Sequence, residues 1–374
     1  MPAPANWPGS GLIPEASDEK MAAPERPAEM TKATINDVAQ LAGVSAKTVS
    51  RVVNREPNVR PATAARVEKA IATLDYRPNQ YARSLASHRS RLIGLVYDDP
   101  SAYEVPSTGY VARLQNGALR ACRAASYELL IHPCRHLSKD VVAGLKALVY
   151  HVRPAGIILA APLSNMPRLV HAITDGGTPL VRLSPGQQDD KHISIVTNDR
   201  EICAEMTRYL VSLGHKRIAF IKGHPQHKAV GNRYLGYRDG LRESGIGFSD
   251  RLVAQGNNST GSGEECAARL LALKERPTAI FAANDDMAAG VIRVAAKLGL
   301  KVPEQLSIVG CDDISLARQI YPSLTTIRQP LAAMAELAAL RIIDSAGQQD
   351  SPQRGVEVVP GEIQIRESTG PAPG

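Results

Sequence analysis

Over residues 92–374, short apolar runs alternate with stretches of helical periodicity, and few architectures tolerate that pattern. The runs fall at 92–97, 128–131, 156–160, 180–183, 218–221, 279–282 and 307–310. Helical stretches, such as 200–213, 264–274 and 286–298, lie between them. A strand that is apolar at successive positions is buried on both faces, so the pattern predicts parallel sheets covered by helices. This much chain exceeds what one small sheet holds. Two Rossmann-like α/β subdomains are therefore expected, and the run at 193–196 with its following helix is a plausible crossing point between them. Ligands of such sheets sit at the carboxyl ends of the strands.

The first quarter of the chain reads differently. Residues 1–31 are rich in Pro, Ala and Glu without periodicity, as in a disordered tail. Met21 and Met30 are alternative starts to Met1. From Thr34 onward Ile35, Val38, Ala39 and Ala42 recur at helical spacing. Thr34 and Asp37 suit a capping box, Gly43 a helix stop, and Ser45 the cap of a second helix. A third helix is expected from about Pro61, with Val67, Ile71 and Leu74 inward. Tyr76-Arg77-Pro78-Asn79 breaks it, and Asn79 can cap a short fourth helix through Ser87.

Charge is concentrated in this region. Residues 31–91 hold eleven Lys/Arg against four Asp/Glu, whereas the whole chain of 374 residues carries a net +7. Such a basic segment fits either a polyanion binder or a solvated charged face. The five cysteines, Cys122, Cys134, Cys203, Cys266 and Cys311, are odd in number, scattered and free of a C-x-x-C, which favours reduced thiols in a cytoplasm. No run approaches the length of a membrane helix, and no secretory signal is seen.

The string Thr34-Ile-Asn-Asp-Val-Ala-Gln-Leu-Ala-Gly-Val-Ser-Ala-Lys-Thr-Val-Ser-Arg-Val-Val-Asn54 reads as a helix-turn-helix. Its second helix presents Ala46, Lys47, Ser50 and Arg51 to base edges and phosphates in a major groove. Ser45 and Thr48 can donate to phosphates near that helix's N-terminus.

This string resembles the signature of the lactose-repressor (LacI/GalR) family. The resemblance implies a DNA-binding headpiece at 32–78, a hinge helix and linker at 79–91, and an effector-binding and dimerisation domain of periplasmic-binding-protein type at 92–374. Among the DNA-binding positions it implies Thr34, Asn54, Asn58 and Asn79 alongside those named above. Leu85 matches a leucine that the family pushes into the minor groove, with Ala82 the small residue beside it. Such a wedge partly unstacks a base step and bends the duplex. Arg60 departs from the pattern, standing where many relatives carry a Ser or Thr cap.

Three further strings carry the resemblance into the α/β part. They are Asn232-Arg233-Tyr-Leu-Gly236-Tyr237, Ala283-Asn284-Asp285-Asp286 running to Gly290, and Gly310-Cys311-Asp312-Asp313. Arg233, Asn284 and Asp312 suit a polyol through their donors and acceptors. Gln329, in Thr325-Thr-Ile-Arg-Gln-Pro330, matches a position near the family's cleft. Asp98 or Tyr103, in a loop longer than usual, can add a contact. Asp285 and Asp313 are expected to be structural. Asn258 stands where some relatives carry an aromatic platform, which argues against a simply stacked hexose, and Cys311 replaces the usual aromatic.

Two other classes compete. An α/β enzyme is opposed by the absence of G-x-G-x-x-G and G-x-x-x-x-G-K-[ST]. Neither His132, Cys134 and His136 nor His224 and His227 has zinc spacing, so no metal or cofactor is expected. An exported solute-binding protein is opposed by the fused basic helices. The sequence thus points to a non-enzymatic, cytoplasmic regulator, most simply a repressor of carbohydrate-utilisation genes. Its expected partners are a near-palindromic operator duplex, a sugar-like effector and a second copy of itself. No leucine heptad of the kind that makes some relatives tetramers follows the last strands.

Overall fold

The computed structural model describes residues 33–53, 59–76, 90–99, 109–187, 189, 191–225, 227–347 and 354–374. The tail at 1–31 lies outside these residues, as do the fourth helix from Asn79 and the loop carrying Tyr103. The chain divides into two compact units, one within Met1–Arg83 and one within Ser84–Gly374.

The first unit packs α1 (Ile35–Ala42), α2 (Ala46–Val53) and α3 (Pro61–Thr73). The expected capping box forms, with Thr34 Oγ1 accepting from the Asp37 amide and the Asp37 carboxylate accepting from the Thr34 amide. That carboxylate is held below its ordinary pKa by the Thr34 hydrogen bonds. Gly43 ends α1 in the left-handed region at φ 61°, where a Cβ would be strained. Ser45 Oγ then accepts from the Thr48 amide and starts α2. Pro61 opens α3, whose cap residue Arg60 makes no side-chain capping bond. Val38, Val49 and Val67 are fully buried and hold the three helices together. Each contributes about 1.5–3 kcal/mol by the area it removes from water.

The second unit contains two six-stranded sheets. In one, the order is β11 (Gly355–Val358), β5 (Ile193–Val196), β4 (Leu180–Leu183), β3 (Gly156–Leu159), β1 (Leu92–Asp98), β2 (Glu128–Cys134), all parallel. In the other it is β12 (Glu362–Gln364), β10 (Thr325–Arg328), β9 (Ser307–Asp312), β8 (Ala279–Ala282), β6 (Ile218–Lys222), β7 (Val253–Gln255), with only β12 antiparallel. The inner strands β3, β4, β5, β8 and β9 are buried at every position, as fully covered parallel strands must be.

Helices α4 (Gly109–Ala124), α5 (Val141–Val152) and α6 (Pro167–Thr174) belong to the first sheet. Helices α7 (Asp199–Ser212), α8 (Lys228–Glu243), α9 (Thr260–Leu271), α10 (Asp285–Lys297) and the short α11 (Leu316–Gln319) belong to the second. The crossing after β5 leads into α7. A second crossing follows β10, whose next helix, α12 (Leu331–Gly347), returns to the first sheet and packs against α4. A third joins β11 to β12. Asn198 Oδ1 accepts from the Gly361 amide at 2.9 Å, tying the first crossing to the third.

Candidate functional site

In the helical unit, α2 buries Val49 and leaves Lys47 and Arg51 exposed. Ser45 and Thr34 are exposed too, while Ala46, Thr48 and Ser50 are half-buried on the flanks. The helix carries no acidic residue, so two cations and the hydroxyls of Ser45 and Thr48 share one accessible side. That is the chemistry a phosphate backbone requires. Asn54, Asn58, Asn79, Ala82 and Leu85 lie outside the described residues.

In the α/β unit, strand ends from both sheets converge on a cavity of about 490 Å3. Tyr97 and Asp98 enter from the end of β1, Ser184 from just beyond β4, and Asn284, Asp312 and Gln329 from the ends of β8, β9 and β10. Its centre is Arg233 on the first turns of α8, 6 % exposed. The guanidinium lies 3.1 Å from Asp199 Oδ1 and 3.3 Å from Asp312 Oδ1, and it also donates to the Ala283 carbonyl. Gln329 donates to Asp312 Oδ1 at 2.9 Å. Asp312 and Asp313 end β9 with φ values of 122° and 52°, a strained backbone that non-glycine residues seldom adopt. Burial pushes the Asp312 and Asp199 carboxyls above their ordinary range, and Arg233 opposes the shift in both.

Arg233, Asp312, Gln329, Asn284 and Asp98 therefore all line one cavity, but not in equal roles. The Asn284 carboxamide is committed at both ends. Its Oδ1 caps α10 through the Met287 amide, and its Nδ2 donates to the Asn258 carbonyl. Asp98 accepts from both the backbone amide and the ring Nδ1 of His136, at 3.0 and 2.9 Å. Asn258 serves as a tie between loops, its Oδ1 accepting from the His224 amide. Asp285 accepts from Thr326 Oγ1 and the Ile314 amide, and Asp313 is surrounded by Arg318, Arg328 and Arg366, so both hold the second sheet together.

Sequence reasoning missed Asp199, His224 and His227 as lining residues. Asp199 opens the helix that follows the crossing strand, which is the signal that could have found it. His224 and His227 flank the loop between β6 and α8. His224 meets His136 of the first sheet edge to face, with ring centroids 6.1 Å apart, so imidazoles bridge the two subdomains. Burial lowers the pKa of His224, and burial together with His224 lowers that of His227 to about 4. Among the described residues no group of three or more His, Cys, Asp or Glu has a geometry that could hold a metal ion. All five cysteines are free and buried. A second cavity of about 620 Å3 lies near the amino ends of β3 and β4, where Lys146, Tyr150, Arg153 and Asp175 are among its lining residues. No helix among the described residues is long and apolar enough to cross a membrane.

Known proteins share both units. Residues 34–79 match the description "Bacterial regulatory proteins, lacI family", and residues 207–369 match a periplasmic binding protein-like domain. The HTH-type transcriptional repressor PurR of Pectobacterium carotovorum is 33% identical over 337 residues, covering 89% of this chain and 96% of that protein. GalR of Escherichia coli K12 is 34% identical over 314 residues, 82% of this chain and 87% of that one. The structure of the lac repressor dimer bound to operator and an anti-inducer is similar with a TM-score of 0.72 at 28% identity, covering 91% of this chain and all of that one. A complex of the regulator CelR with cellobiose gives 0.69 at 28% identity, covering 90% and 99%. The helix-turn-helix, the two-sheet α/β unit and these likenesses along most of the chain place it in the LacI family of DNA-binding bacterial regulators.

Proposed function

We propose that this chain is a cytoplasmic, non-enzymatic repressor of carbohydrate-utilisation genes. It binds a near-palindromic operator as a homodimer and answers a small sugar-like effector held around Arg233. One observation carries the reading: a buried Arg233 bracketed by Asp199 and Asp312 in a crevice at the strand ends, on the same chain as an exposed Lys47–Arg51 helix face. Support comes from the similar CelR structure, which holds cellobiose, and from the similar lac repressor structure, a dimer on its operator.

We assign DNA contact to Thr34, Ser45, Ala46, Lys47, Thr48, Ser50 and Arg51, with Asn54, Asn58, Asn79, Ala82 and Leu85 beyond the described residues. Effector contact goes to Arg233, Asp312 and Gln329, with Asn284 and Asp98 holding the wall in place. The headpiece spans 32–78 after a tail at 1–31, the hinge 79–91 and the sensor 92–374. Effector binding shifts one subdomain against the other, and operator affinity changes by the effector's differential affinity for the two states.

The test uses an operator enriched from random duplexes and a titration over salt. Arg51→Ala lowers affinity and reduces the salt slope by about one counterion, because one phosphate contact is lost. An unchanged affinity and slope would remove the assignment of α2 to DNA.

A further inference from the structure

Beside the cavity, two contacts between the α/β subdomains are made on a glycine of the first. Gly186, in the loop after β4, lies on Lys228 at the start of α8. A Cβ at Gly186 would stand 2.1 Å from the Lys228 Cβ and 3.1 Å from its Cα and carbonyl carbon. Gly109, which opens α4, lies on Ile314 just beyond β9, where a Cβ would stand 2.9 Å from the Ile314 Cβ. Both contacts adjoin lining residues: Ser184 stands two positions before Gly186, His227 and Ala229 flank Lys228, and Tyr110 follows Gly109. Neither glycine has a left-handed φ, so close approach is what requires it.

The loop carrying Gly186 is a stiff arm of the first subdomain. Arg182 of β4 is buried, and its guanidinium donates to the carbonyls of Ser164 and Gln187, at 3.0 Å each, and to the Asp189 carboxylate. Asp189 in turn accepts from the amides of Lys191 and His192 and engages the His192 ring. Asn165, in the turn after β3, accepts from the Gly186 amide through Oδ1 at 2.6 Å. Ser184 is held at φ 47°, a conformation that non-glycine residues keep only where their surroundings fix it. Among the described residues, by contrast, no hydrogen bond or ion pair joins 184–187 to α8. Such an arm can part from α8 without leaving a buried polar group unmade, but it cannot be pressed closer.

We propose that Gly186 is a positioning residue for the effector response. Its lack of a side chain lets the arm braced by Arg182 and Asn165 seat on Lys228, and that seat sets how closely the subdomains approach and so how the cleft governs operator binding. A side chain at 186 wedges the subdomains apart, and a tether across the seat holds them together. Packed interfaces switch between discrete arrangements rather than deform continuously, so a small wedge is enough to bias the equilibrium. The proposal rests on the reading that a shift of one subdomain against the other changes operator affinity, and it assigns that shift a contact.

The test traps each arrangement in the full-length protein and needs no effector. Gly186→Cys combined with Lys228→Cys puts two thiols where a small retreat reaches the roughly 3.5–4.5 Å Cβ separation of a disulfide, and the five native cysteines are all buried. Oxidation with copper–phenanthroline is expected to join the pair within one chain, removing two free thiols from the double variant and not from either single variant. Gly186→Val supplies the wedge. Affinity for an operator enriched from random duplexes should differ about fivefold or more between the oxidised pair and Gly186→Val, and dithiothreitol should reverse the effect of the disulfide. Gly186→Ala should shift affinity in the same direction as valine, and adding Lys228→Gly, which removes the Cβ it meets, should restore it. A loop that was merely destabilised would not be rescued in this way. Gly144→Ala, at an exposed glycine with open space around it, should change nothing. Near-ultraviolet circular dichroism checks that each variant is folded, and if the valine variant is not, the alanine variant and its rescue decide. Thiols that stay free in the folded double variant, or an alanine effect that Lys228→Gly does not relieve, overturn the proposal and leave the effector reading intact. A disulfide that forms while tethered and wedged chains bind operator equally overturns it too, and counts against control by subdomain shift itself.

Discussion

At the scale of single residues, Arg233 has two duties that substitution would confound. Removing it leaves Asp199 and Asp312 buried without their countercharge, which costs about 3–5 kcal/mol when one partner of a buried pair is lost. Arg233→Ala is therefore expected to unfold the α/β unit at markedly lower denaturant, and Arg233→Lys to recover much of that loss. Equal midpoints for wild type and alanine variant would show that the buried ion cluster does not support the fold. His227 gives a pH signature of known sign. Its folded pKa of about 4 lies below the ordinary 6.5, so between those values the unfolded chain takes up a proton that the folded chain refuses. Stability from this group is complete above pH 6.5 and is lost as pH falls toward 4. His227→Asn should therefore lose less melting temperature than wild type on going from pH 7 to pH 4.5, and parallel curves would contradict the burial described for that imidazole. Arg233, Asp312 and Gln329 were legible because they sit in short strings. Asp199 was not, since its partner Arg233 is 34 positions away on another helix.

At the scale of elements, close helix packing positions the cleft. α7 carries Asp199 and α8 carries Arg233, and the two meet where Gly236 offers no side chain. A Cβ at Gly236 would stand 2.2 Å from the Arg200 carbonyl oxygen. Gly236→Ala must therefore push the helices apart, at about 1–3 kcal/mol of overpacking. In denaturant melts the α/β unit should lose that stability while the helical unit keeps its own, and a neutral result would disprove the tight crossing. Elements were unevenly legible. Capping box, left-handed glycine and N1 proline are local chemistry, and the helix-turn-helix could be read from them. Strands β7, β11 and β12 were missed because they are short edge strands whose half-exposed positions leave no continuous apolar run. β10 was missed for another reason: Thr325 and Thr326 read as polar, yet both are fully buried and bonded, to Ser368 and Asp285 among others.

At the scale of the whole molecule, alternation of apolar runs with helices was enough to foresee two covered sheets and the first crossing at β5. The return through α12 and the exchange of β11 and β12 were not foreseeable, because strand order depends on contacts far apart in sequence. Those exchanges have an outcome for how the protein is made. Each sheet receives one of its edge strands from residues 355–364, so the first sheet is incomplete until the ribosome has passed codon 358 and the second until it has passed codon 364. The three helices that end at Thr73 are finished almost three hundred codons earlier. A nascent chain on this message therefore carries a completed headpiece, able to meet DNA, for most of its synthesis and before any cleft exists to govern it.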